Sequence, residues 1–74
     1  MNASDALKCA IERSGLTLRE VSRAAGMQDD SLANNLNQAK RRGGNLSCEM
    51  VSKYARAAGW KLCLIKGREK IDLE

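Results

Sequence analysis

The segment Leu16-Thr17-Leu18-Arg19-Glu20-Val21 constrains the fold of this chain more than any other. Thr17 and Glu20 stand three apart. At that spacing a cap hydroxyl takes the N3 amide while the N3 carboxylate reaches back to the cap's own amide, and Leu16 and Val21 are placed to clasp across the same turn. A helix therefore starts at Thr17. Gly26 stops it after Ala24-Ala25, so this second helix (17–25) is about two turns long and exists only if something packs on it. A further helix is expected at once: Gln28, Asp29 and Asp30 offer capping and acidic first-turn groups, and Leu32 with Leu36 gives an inward i, i+4 pair, which predicts helix 3 over 29–37.

The flanking sequence reads in the same way. Leu7, Ala10, Ile11 and Ser14 make a stripe of helical period with Asn2 or Ser4 as cap and Gly15 as terminator, which predicts helix 1 over 3–14. Lys40-Arg41-Arg42-Gly43-Gly44 has no acid and predicts a mobile basic loop. Leu46, Ser47 and Val51 repeat the staple and cap, and Val51, Tyr54, Ala55 and Ala58 continue a stripe, so helix 4 is expected over 47–58. Past Gly59 the period changes to two: Trp60, Leu62 and Leu64 alternate with Lys61, Cys63 and Ile65, a strand over 60–66. Gly67-Arg68 offers a turn and Ile71 with Leu73 a short return strand, weakened by Asp72 and Glu74.

Composition narrows the function. In 74 residues there are 13 Lys plus Arg against 9 Asp plus Glu, a net +4, with no His, Pro or Phe. A domain of this size buries only about 60–65% of its unfolded surface and has no room for a deep cofactor pocket beside a core. Without His the commonest general base is missing and Ser–His or Cys–His chemistry is excluded within one chain, so an enzyme is not expected. Cys9, Cys48 and Cys63 form no CxxC pair or zinc spacing; each is expected as a small buried hydrophobe, with no metal, no cofactor and no disulfide framework. No apolar run is long enough to cross a membrane and the first residues do not read as a signal peptide, so one cytoplasmic domain is expected.

Two short helices around a glycine turn are the helix-turn-helix arrangement, with Ser22 small at the crossing and Val21, Ala25, Met27 and Leu32 inward. The chain resembles the lambda-repressor-like (Cro-type, XRE-type) helix-turn-helix family. The resemblance lies in Leu16 to Met27, in Ser31-Leu32-Ala33-Asn34-Asn35-Leu36-Asn37, and in Gly44-Asn45-Leu46-Ser47 leading to Tyr54-Ala55-Arg56-Ala57-Ala58-Gly59-Trp60. It implies a mostly α fold, a four-helix domain followed by a C-terminal strand or short hairpin. It also implies a double-stranded DNA-binding module whose helix 3 enters the major groove. The family's reading positions fall on Gln28, Asp29, Asp30 and Asn34, with Ser31 and Asn35 beside them. Asn35 departs from the family, in which an apolar residue is frequent there. Gln and Asn suit adenine and Asp can accept from cytosine N4; alternatively both acids only complement the helix dipole.

Phosphate contacts are expected from the helix 2 start at Thr17, from Arg19, and from Lys40, Arg41 and Arg42; Asn37 either joins them or caps helix 3. One such motif reads one half-site, so a homodimer on a palindromic operator is expected. The strand edge offers the interface, with Trp60, Leu62 and Leu64 packing on the helices or across a two-fold axis; the alternative is an intramolecular hairpin. The sequence thus reads as a transcriptional regulator of repressor type. The competing expectation is a protein-interaction module, such as an antitoxin or regulatory partner, that uses Asp29, Asp30 and the strand to bind protein.

Overall fold

The computed structural model describes residues 1–73; Glu74, expected at the fraying end of the tail, lies outside the described residues. Four helices, α1 (Ala3–Arg13), α2 (Leu18–Ala24), α3 (Ser31–Arg41) and α4 (Cys48–Ala57), precede an antiparallel hairpin of β1 (Cys63–Lys66) and β2 (Glu69–Asp72).

The helix starts follow their caps. Asn2, Thr17 and Ser47 each accept from the amide three residues on, and at Thr17 the box is closed: the Glu20 amide donates to Thr17 Oγ1 at 3.1 Å and the Thr17 amide to Glu20 Oε1 at 3.0 Å. The helix ends share a 6→1 closure past a left-handed glycine, as where the Met27 amide donates to the Ser22 carbonyl at 2.9 Å beyond Gly26 (φ 75°).

α3 departs from expectation at both ends. It begins at Ser31, with Asp30 at the cap position but making no side-chain cap bond, so the acids do not serve as first-turn residues. It also runs four residues past Asn37, because Gln38-Ala39-Lys40-Arg41 are good helix formers and Ala39 is buried. The break waits for Gly43-Gly44, where the Gly44 amide donates to the Ala39 carbonyl at 2.8 Å. Lys40 and Arg41 therefore lie in the last turn of a helix, where they complement its dipole, and not in a mobile loop.

The core joins Leu7 and Ile11 of α1, Val21 of α2, Leu32 and Leu36 of α3, and Tyr54 and Ala55 of α4, with Leu16, Leu18, Ala25, Leu46, Met50 and Leu62 packed around them. Each fully buried Leu, Ile or Val contributes about 1.5–3 kcal/mol before entropy is set against it. Met27, expected inward, is exposed, its sulfur 3.9 Å from Lys53 Nζ. The cysteines are likewise not buried: Cys9 and Cys63 are half-buried and Cys48, opening α4, is exposed; all three are free thiols.

The strand begins at Cys63, three residues later than expected, because Trp60 and Leu62 are held by the helical body. Trp60 Nε1 donates to Ser14 Oγ at 2.8 Å, and Leu62 packs on the core. β1 pairs with β2 in the register Leu64↔Ile71, and the Leu73 amide extends the ladder to the Leu62 carbonyl at 3.0 Å. The intramolecular hairpin is thus the arrangement adopted. By strand alternation Leu62, Leu64, Ile71 and Leu73 share one face.

Candidate nucleic-acid interface

The start of α3 is held by two buried side chains, Ser22 and Tyr54. Ser22, fully buried in α2, accepts the Leu32 amide through Oγ at 3.1 Å, so an orphan donor of the α3 start is satisfied from inside and the two helices cross closely. From α4, the fully buried Tyr54 sends its hydroxyl to α3, where it lies 2.9 Å from Ser31 Oγ and accepts from Asn35 Nδ2 at 2.7 Å. Ser31 and Asn35, expected among the base readers, are half-buried and spend these groups on Tyr54. An apolar residue at position 35 would leave the tyrosine with one partner; the lone Tyr on the inward stripe of helix 4 was the sequence signal, since a buried phenol seeks a hydrogen bond.

The outer surface is left to Gln28, Asp30 and Asn34. All three are exposed and line one concavity of about 430 Å³ together with Met27 and the Gly26 corner, and the half-buried Ser31 and Asn35 line it as well. Asp29 does not join them. Its carboxylate turns to α2, where Arg23 meets it through Nε at 2.7 Å and Nη2 at 2.8 Å, and Arg19 Nε stands 4.0 Å away. The Arg23 hydrogen bond, reinforced by the charges of Arg23 and Arg19, outweighs desolvation and holds the Asp29 carboxyl below its usual range. The same bond raises the Arg23 guanidinium. Arg23 was not foreseen from the sequence, because a pair six residues apart across a turn has no periodic signature.

Of the expected phosphate contacts, Arg19, Asn37, Lys40, Arg41 and Arg42 are exposed. Asn37 lies inside α3 and cannot cap its end; Asn45 Nδ2 donates to the Arg42 carbonyl there, at 3.0 Å. At Thr17 the hydroxyl and the amide are both engaged by Glu20, so a carboxylate already occupies the start of α2. The basic corner is anchored to the first helix: the Gly44 carbonyl accepts the Ser4 amide at 3.1 Å, and a Cβ at Gly44 (φ 85°) would overlap the Asn2 side chain.

The three expected interface residues are separated. Trp60 and Leu62 face their own helices, while Leu64 is 60% exposed, beside Ile71 at 61% and Ile65 at 70%. Leu62 and Leu73 wall an open groove of about 550 Å³ against Ala25 and the outer side of α4. Among the described residues no group of three His, Cys, Asp or Glu is placed to hold a metal ion, and no helix is long and apolar enough to cross a membrane. No family model, curated protein or solved structure matches the chain.

Proposed function

We propose that the chain is a sequence-specific double-stranded DNA-binding regulator of transcription, acting in the cytoplasm as a homodimeric repressor on a palindromic operator. The observation that carries this reading is the α2–turn–α3 unit. Ser22 and Tyr54 hold α3 in place, Gln28, Asp30 and Asn34 are exposed in one concavity beside the Tyr54 partners Ser31 and Asn35, and the helix ends in Lys40, Arg41 and Arg42. Locked rotation matters because base edges are read by side chains whose direction is set by the helix beneath them. In this reading α3 lies in the major groove and Arg19 with the α3-end cations holds the backbone.

Selection from a random duplex pool tests it: a two-fold symmetric motif is expected, with half-sites about one helical turn apart. With about four phosphates touched per protomer, the log–log salt slope of the dimer is expected near −7. Asn34→Ala is expected to cost about 1–3 kcal/mol of discrimination at one base pair, whereas Arg41→Ala weakens binding to every sequence and lowers the slope by about 1. A flat salt response, or no enriched sequence, would overturn the reading. The exposed Leu64, Ile65 and Ile71 favour one other reading, a protein-binding module on the same fold. In that case a partner protein is captured by the wild type and lost with Leu64→Lys, while duplex DNA is not bound.

A further inference from the structure

The Arg23–Asp29 clasp spans the turn that delivers α3. Arg23 stands in the last turn of α2, and Asp29 lies two residues ahead of Ser31, between Gln28 and Asp30, which line the reading concavity. The carboxylate grips one edge of the guanidinium, using Nε–H and a single Nη2–H. Of the five donors of an arginine, this leaves both Nη1 hydrogens and the second on Nη2. That outer edge is again a two-donor fork, and its direction is fixed by the first.

A fork of this kind fits either a phosphate or the O6/N7 edge of guanine. The charge decides between them. Asp29 cancels most of what Arg23 would offer a phosphate, so the pair contributes little to counterion release; what the clasp preserves is direction, with the ordering entropy of a long side chain already lost. Arg19, 69% exposed and 4.0 Å from the same carboxylate, keeps the net positive charge of the cluster and suits the backbone.

We propose that Arg23 is a guanine-reading side chain and that Asp29 is its positioning residue, not itself a base reader. The inference rests on the DNA-binding reading above. It assigns a reader to α2 where the sequence placed all of them around α3.

Selection from a random duplex pool with the wild type, Arg23→Ala, Arg23→Lys and Asp29→Asn tests it. The wild type is expected to select a G·C pair at one position of each half-site. Arg23→Lys keeps the charge but not the fork, and it should lose that preference by about 5- to 150-fold with the salt slope and the rest of the motif unchanged. Arg23→Ala should lose the same preference. Asp29→Asn should blur preference at the same pair while raising affinity for all duplexes, since it removes a negative charge from the surface. Urea unfolding midpoints of the variants should fall only slightly from the wild type's, because both side chains are exposed and an exposed ion pair contributes little. A wild-type motif left intact by Arg23→Lys overturns this inference alone. So does a uniform loss with Arg23→Ala and a slope lower by about 1, which would make Arg23 a phosphate contact. A wild type that selects no sequence removes the DNA-binding reading itself.

Discussion

The helical body and the hairpin treat the hydrophobic pattern in opposite ways. In the body, stripes of period 3.6 on α1, α3 and α4 meet one another, and the polar groups carried inside come with partners: Ser22 with the Leu32 amide, Tyr54 with Ser31 and Asn35. Among the described residues no buried side-chain nitrogen or oxygen is left unsatisfied. In the hairpin, strands of period 2 put Leu64 and Ile71 directly opposite one another, yet both stay mostly exposed. A periodic apolar pattern specifies burial only where the chain supplies a second surface. The body has one; the outer hairpin, where Leu64, Ile65 and Ile71 are mostly exposed, has none. Two strands alone are marginal in water; Leu62 packs the root of the hairpin on the core, Leu73 stands beside it in the groove against α4, and the Lys61–Asp72 ion pair at 3.3 Å closes the arm on itself.

Four measurements sharpen this contrast. Leu32→Ala removes a fully buried side chain at the centre of the body and should cost about 2–5 kcal/mol in urea unfolding. A loss below about 1 kcal/mol would mean that α3 is not a core element. Ser22→Ala orphans the Leu32 amide and should cost about 1–3 kcal/mol. Tyr54→Phe removes one hydroxyl shared by two side chains, for about 1 kcal/mol of stability, and on the proposed DNA-binding reading it should also weaken sequence preference. In the hairpin, Leu64→Lys should leave protomer stability within about 0.5 kcal/mol while shifting sedimentation toward monomer. An unchanged dimer would move the interface to α4.

The smallest effect concerns pH. Asp29 is depressed in the folded chain, so the stabilisation from its clasp is complete above the unfolded carboxyl's range and is lost as pH falls through the lower folded value. The Arg23 Nε–H resonance should stay constant from neutral pH to that range and shift only below it. A shift near neutrality would show that another group controls the clasp.

Much of the body was legible in the sequence because its signals are local. Thr17 with Glu20, and the glycine after each helix, need only a few residues to state their geometry. The end of α3 was less legible: a basic run before two glycines has the composition of a loop, yet Gln38 to Arg41 contains no breaker and Ala39 fits the core. The side-chain contacts around the start of α3 were not legible. Gln28, Asp30 and Asn34 are exposed around one concavity that Ser31 and Asn35 also line, and Asn35, Ser31 and Asp29 bond to Tyr54 and Arg23, partners set by tertiary placement that no spacing rule encodes.

Trp60 gives the protein a built-in optical reporter. It is the chain's sole tryptophan, and its indole N–H is bonded to Ser14, whose hydroxyl lies 2.9 Å from the Ala10 carbonyl and 3.3 Å from the Ala58 carbonyl. The ring, 41% exposed, therefore sits on the joint between body and hairpin. Its emission wavelength will register any swing of the C-terminal arm against the helices, and iodide quenching will tell a covered joint from an open one without a label being introduced.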